Sequence, residues 1–155
     1  MILLAALGAT LLLILVFYRG QKTNLAFAHQ VALLLETLTQ PEAVKYLWLG
    51  GVLGFQALYH RPRRLGHRDL KVTLLLLPRH TLLYLPIAWW RHRGDRILLT
   101  LHGPVSLPES PPPGLHPLLR RVDKESRACT VELRLPRNHP EPVLRSLIQW
   151  LASCS

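Results

Sequence analysis

The stretch Met1–Tyr18, MILLAALGATLLLILVFY, decides how the rest of the chain is organised. Thr10 is its only clearly polar side chain and it carries no charge. A bilayer core of about 30 Å needs roughly 17 to 25 helical residues, so the run is long enough to span with little to spare for tilt. A soluble helix would show a polar face, and this one has none. A cleaved leader would begin with Lys or Arg and end in small residues, whereas this run ends in Val16, Phe17 and Tyr18. The expectation is a membrane helix over residues 1–18, with Leu11, Leu12, Leu13 and Phe17 toward lipid.

Arg19 and Lys22 follow the run directly. Basic residues stay on the cytoplasmic side, so the N-terminus is expected outside and the remaining chain in the cytoplasm. Cys129 and Cys154, the two cysteines of the chain, suit that compartment as free thiols and are too few for a disulfide framework or a four-ligand metal site.

Working outward, Leu25, Ala28, Ala32, Leu35 and Leu38 recur at helical spacing, and Pro41 closes that segment. Thr23 or Asn24 is the expected cap of a separate juxtamembrane helix. The stretch 46–59, YLWLGGVLGFQALY, is short for a span. Its readings are a core helix, an interfacial helix offering Trp48 and Phe55 to headgroups, or a second crossing. Beyond Pro62 the period changes. The runs 70–77 and 96–101 have the length of buried strands, and 129–135 alternates Val131, Leu133 and Leu135 against Glu132 and Arg134. Pro86 breaks regularity in 81–90, which presents Trp89 and Trp90 to a surface. The Pro-rich stretch 104–117 reads as a stiff linker. Asn138 is the expected cap of a closing helix carrying Val143, Leu144, Leu147 and Leu151 inward. The expected fold class is α+β: a membrane helix, juxtamembrane helices over 19–59, and a small cytosolic domain over 60–155 with three or four strands.

Nothing in the sequence supports catalysis. The eight histidines form no zinc-binding spacing, the glycines at 50, 51 and 54 lack the Lys-Ser/Thr of a phosphate loop, and no carboxylates are paired for acid/base work. No cofactor and no metal are expected. Charge is the informative feature. The chain carries a formal net charge of +10, and between Tyr59 and Arg96 nine Arg or Lys residues face only Asp69 and Asp95. Arg61, Arg63, Arg64 and Arg68 precede one strand, with Lys71 inside it, and Arg91, Arg93 and Arg96 precede the next. Arginine forks suit phosphate, so these residues are expected to meet RNA or lipid headgroups, with both clusters on one edge of the sheet. A solvated loop that only satisfies membrane topology is the plainer reading.

Three segments, RGQKTNLAFAHQVALLLETL (19–38), LKVTLLLLPRHTLLYLPIAWWRHRGDRILLTL (70–101) and RACTVELRLPRNHPEPVLRSLIQWL (127–151), follow the N-terminal helix in an order that resembles the calumin family. Those are coiled-coil-domain proteins of the eukaryotic endoplasmic reticulum that serve in the intramembrane chaperone (PAT) complex of the multipass translocon. The resemblance rests on element order and apolar positions. It implies a membrane-proximal cytosolic α+β domain without enzymatic activity that assists insertion or folding of multispan proteins. The implied partners are membrane lipid, the ribosome through its RNA, translocon or insertase subunits, and a small membrane-protein partner. The sequence departs from that family in ending at Ser155, without the long helical tail that reaches the ribosome, and in its short Pro-rich stretch. Ribosome contact would then fall to the Arg-rich loops. A compact chain of this kind fits a prokaryotic, archaeal relative in a plasma membrane; a eukaryotic one would sit in the reticulum. The competing expectation is a structural subunit of another membrane complex whose basic loops bind anionic lipid.

Overall fold

A computed structural model describes residues 2–50, 53–77, 94–103, 111–125 and 127–153, with residues 2, 3 and 5 as backbone only. The first element is one uninterrupted helix, α1 (Ile2–Thr39). The expected break at Thr23 and Asn24 does not occur. Residues that cap helices can also stay inside them when their side chains bond back onto the preceding turn. Thr10 Oγ1 donates to the Ala6 carbonyl and Thr23 Oγ1 to that of Arg19, at 2.9 and 2.6 Å. The helix stops where expected, before Pro41. Gln40 takes a left-handed φ of 50° and its N–H reaches the Glu36 carbonyl at 2.8 Å.

After α1 come β1 (Ala43–Trp48), β2 (Gly54–His60), a 3-10 turn at Arg63–Leu65, β3 (Leu70–Leu75), β4 (Arg96–His102), β5 (Leu119–Glu125), β6 (Ala128–Arg134) and α2 (Pro140–Ala152). The strands form one six-stranded antiparallel sheet in the order β1-β2-β3-β4-β6-β5. The α+β class stands, with more strands than the sequence suggested.

Two segments differ from expectation. Residues 46–59 are a hairpin, not a helix: Trp48 pairs with Phe55, and the Leu49 N–H closes onto the Gly54 carbonyl at 3.0 Å. Gly50 and Gly54 hold φ of 56° and 134°, backbone that glycine adopts freely, so they serve the turn. The second is β5, which lies at the end of the Pro-rich region. Its sequence LRRVDKE sets only Leu119 and Val122 partly against the core, with two arginines between them and a register shift at Leu119/Arg121, and so gives little alternation to read.

The core lies between one face of the sheet and the two helices. Phe55, Ala57 and Tyr59 of β2, Leu70, Val72 and Leu74 of β3, Ile97, Leu99 and Leu101 of β4, and Cys129, Val131 and Leu133 of β6 all point inward. They meet Phe27, Ala28, Val31, Leu35 and Leu38 of α1 and Leu144, Leu147, Ile148 and Leu151 of α2. The inward stripe of α1 is thus rotated slightly from the expected one, leaving Leu25 exposed. His139, not Asn138, occupies the cap position of α2, with Pro140 opening the helix; Glu141 pairs with Arg145 at 2.8 Å instead of closing a capping box. Phe55, expected at a membrane interface, is fully buried.

Two polar side chains fix the end of the sheet to α1. Asn24, fully buried, donates Nδ2 to the Leu77 carbonyl at 2.8 Å, and the Leu77 N–H donates to Asp95 Oδ1 at 2.8 Å. Leu77 is therefore held from both sides, where β3 ends and β4 is about to begin.

Candidate functional site: an apolar rod and an arginine loop at opposite ends of one helix

The N-terminal half of α1 stands clear of the domain. Leu4, Leu7, Leu11, Leu12, Leu13, Ile14, Leu15, Phe17 and Tyr18 are exposed, Leu11 and Leu12 to about 60%. Five consecutive residues turn through more than a full circle of helix, so Leu11 to Leu15 present apolar surface in every direction. A docking face on one side would not need that. Phe17 and Tyr18 pack edge-on, with centroids 5.9 Å apart, where the apolar surface ends and Arg19 begins. Over the described residues alone, no helix is long and apolar enough to cross a membrane.

The arginine loop sits at the other end of the same helix. The Arg63 N–H donates to the Gln40 carbonyl at 3.3 Å, immediately beyond the α1 C-terminus. The loop is anchored, not merely solvated. Pro62 and Leu65 are buried, and the Pro62 carbonyl accepts from the Leu65 and His67 N–H groups at 3.1 and 3.3 Å. Asp69 Oδ1 accepts the Arg61 N–H at 3.1 Å. Between those anchors Arg61, Arg63 and Arg64 are exposed. Arg61 and His67 adopt left-handed φ of 44° and 58°, and Gly66 one of 64°, so the backbone is folded tightly around the buried leucine. Arg61 lies 3.9 Å from Glu42, a solvent-exposed pair of little energetic weight. Arg68 packs beside Gly103 at the end of β4.

The antiparallel register separates the first expected cation cluster from Arg96, the described member of the second. Leu70 pairs with Leu101 and Leu75 with Arg96, so the loop before β3 and the start of β4 lie at opposite ends of the sheet. They do not share an edge. Arg96 is committed to Glu132 at 3.0 Å on the sheet face away from the helices. Lys71 lies on that same open face, where Lys45, Leu47, Gln56, Leu58 and His102 join it in lining a cleft of about 410 Å³. Arg91, Arg93, Trp89 and Trp90 lie outside the described residues.

Trp48 closes β1 at 42% exposure, beside Leu47 at 60% and Leu53 at 38%. Its ring is 5.4 Å from His29 of α1. Tyr46 stands farther along the helix, its hydroxyl 2.5 Å from Glu36 Oε1 and 3.3 Å from the Tyr59 hydroxyl. Burial, helped by Glu36, pushes the Tyr46 phenol up to about 12, and burial pushes Tyr59 higher still. Both are neutral hydrogen-bonding groups at physiological pH. Burial likewise raises the Cys129 thiol, which is 1% exposed and therefore a packing residue without nucleophilic character. Among the described residues no group of His, Cys, Asp and Glu is placed to hold a metal ion.

The site that the sequence did not announce is the separation itself. A rod and a cationic loop were each legible; that one helix carries both, one at each end, was not. Comparison with protein families, curated proteins and solved structures finds no match for this chain.

Proposed function

We propose that the chain is a membrane-anchored, non-enzymatic factor that holds a structured arginine loop away from the bilayer, toward the RNA of a ribosome engaged in membrane-protein insertion. The observation that carries the reading is the position of the loop on α1. From Tyr18 to Thr39 the helix rises about 30 Å, or about 24 Å at a tilt of 40°. The field of a charged leaflet decays over about 8 Å at physiological ionic strength. With Met1–Tyr18 in lipid, Arg61, Arg63 and Arg64 are out of reach of the headgroups around their own anchor. A phosphate-rich partner standing off the membrane fits them, and lipid does not.

The other end supports the same orientation. Asn24, Leu77 and Trp48 all lie beside the early part of the domain half of α1, so Leu47, Trp48 and Leu53 form the membrane-side tip of the sheet. Trp48, beside His29, stands about 16 Å along α1 from Tyr18, between the headgroup layer and the arginine loop. The step from a polyanion to a ribosome beside a translocon or insertase comes from the resemblance to the calumin family, as does assistance to multispan proteins.

The test is binding of ribosomes to the full chain reconstituted in vesicles. Three phosphate contacts imply an affinity that falls about twenty- to fortyfold between 50 and 200 mM salt. Arg61→Glu, Arg63→Glu and Arg64→Glu together should abolish cosedimentation while leaving vesicle association intact. Unchanged ribosome binding by that variant would overturn the reading.

A further inference from the structure

Beside the anchor lies a second cationic feature, distinct from the arginine loop in both residues and place. Lys22, Thr23, Ala26, Phe27, Gln30 and Arg137 line an open cleft of about 680 Å³ between α1 and the segment joining β6 to α2. Among the described residues no carboxylate lines it. Arg137 is held in position: its guanidinium donates to the Thr23 carbonyl at 2.5 Å and to Asn24 Oδ1 at 3.3 Å, and its Cζ lies 5.0 Å from the Phe27 ring centroid. A second, smaller cleft shares Lys22 and runs toward the N-terminus past Arg19, Tyr18 and Leu15. Leu15, Arg19, Lys22, Ala26 and Gln30 succeed one another at spacings of three or four, so they stack along one side of α1. The order along that side is apolar, then two cations, then a half-apolar cleft closed by a third cation.

We propose that this strip binds one anionic phospholipid, its phosphate between Lys22, Arg19 and Arg137 and its acyl chain along Leu15 and Tyr18. The proposal rests on the membrane reading of Met1–Tyr18. The heights agree: the headgroup layer is about 5 to 8 Å deep on each side of the hydrocarbon, and Arg19 and Lys22 fall within about 6 Å of the end of the apolar run. Phosphate is preferred to a zwitterionic headgroup because Lys22 is shared by two adjoining clefts, one holding Arg137 and the other Arg19, and no acidic side chain among the described residues lines either to answer a choline. The occupant is a lipid and not a soluble phosphate ester because the apolar end of the strip is continuous with the exposed rod. Bound there, the lipid would fix the rotation of α1 about its own axis, and with it the direction in which the arginine loop faces.

The experiment is reconstitution of the full chain into phosphatidylcholine vesicles containing a minor share of phosphatidylglycerol. Extraction in mild detergent and mass spectrometry of the intact protein with its retained lipid follow. Wild type should retain phosphatidylglycerol in at least tenfold preference over its share of the vesicle. Lys22→Gln should lose that preference, whereas Arg61→Gln with Arg64→Gln should keep it. Arg137→Gln is expected to act like Lys22→Gln, but Lys22, exposed on the helix, carries the test because its replacement leaves the fold untouched. Glycerol phosphate in solution should not displace the lipid. Equal retention of both lipids, an unchanged preference in Lys22→Gln, or displacement by glycerol phosphate would each overturn the proposal while leaving the anchor in place. Failure of wild type to float with vesicles would overturn both.

Discussion

Leu77 shows at the scale of single residues how the domain is joined to its anchor. Its carbonyl is taken by Asn24 and its N–H by Asp95, both acceptor and donor being buried. A buried polar group stripped of its partner loses the full cost of its desolvation, about 1 to 3 kcal/mol. Asn24→Ala should therefore lower unfolding stability by that amount in micelle-solubilised chain, measured from the urea midpoint. A loss below a few tenths would mean that the α1-to-sheet bond is not made. Sequence reading placed Asn24 at a helix start, because Asn in an isolated helix competes with the backbone for hydrogen bonds. Its real partner is 53 residues away, a distance over which spacing carries no signal.

Among the elements, the hairpin β1–β2 is where local reading and tertiary structure part most clearly. Residues 46–59 are apolar at nearly every position, and a short run of that kind does not separate helix from strand by period alone. What settles it is backbone geometry at glycine. Gly54 sits at φ 134°, and a Cβ there would collide with the Leu74 carbonyl oxygen across the sheet. Gly66, also left-handed, has nothing within 4 Å of where its Cβ would be. Gly66→Ala should thus cost only about 1 to 2 kcal/mol from its left-handed backbone. Gly54→Ala should cost more than that and disturb the pairing of β2 with β3, read from amide hydrogen exchange across both strands. The reverse ranking would contradict the register. The strands β3, β4 and β6 were legible because each joins regular burial to a clear stop. The strand β5 was not, since its length is held by cross-strand hydrogen bonds to β6 more than by inward side chains. The arginines were legible as a charge cluster, but the end of the sheet they occupy depends on the antiparallel pairing of β3 and β4.

Taken as a whole, the molecule is a helix with two unlike ends, built on by a sheet. The buried stripe of α1 from Asn24 to Leu38 makes the second half of the helix part of the core, so the first half cannot tilt independently of the domain. The C-terminal end of a helix carries a partial negative charge, and the basic turn beside Gln40 is favourably placed there. That contribution is small, of the order of 0.3 to 1 kcal/mol, and does not by itself require three exposed arginines. Their number and their anchored backbone fit an external phosphate partner better than they fit helix capping.

Spin labels placed singly at positions 11 and 64 of the vesicle-reconstituted chain, with Cys129 and Cys154 replaced, test the central claim most directly. Collision with dissolved oxygen and with a water-soluble nickel chelate reads the depth of each. Oxygen-rich, chelate-poor surroundings are expected at position 11 and the opposite at position 64, with the latter about 24 to 30 Å beyond the end of the apolar run. Equal access of the chelate to both positions, or a label at 64 lying at headgroup depth, would contradict it.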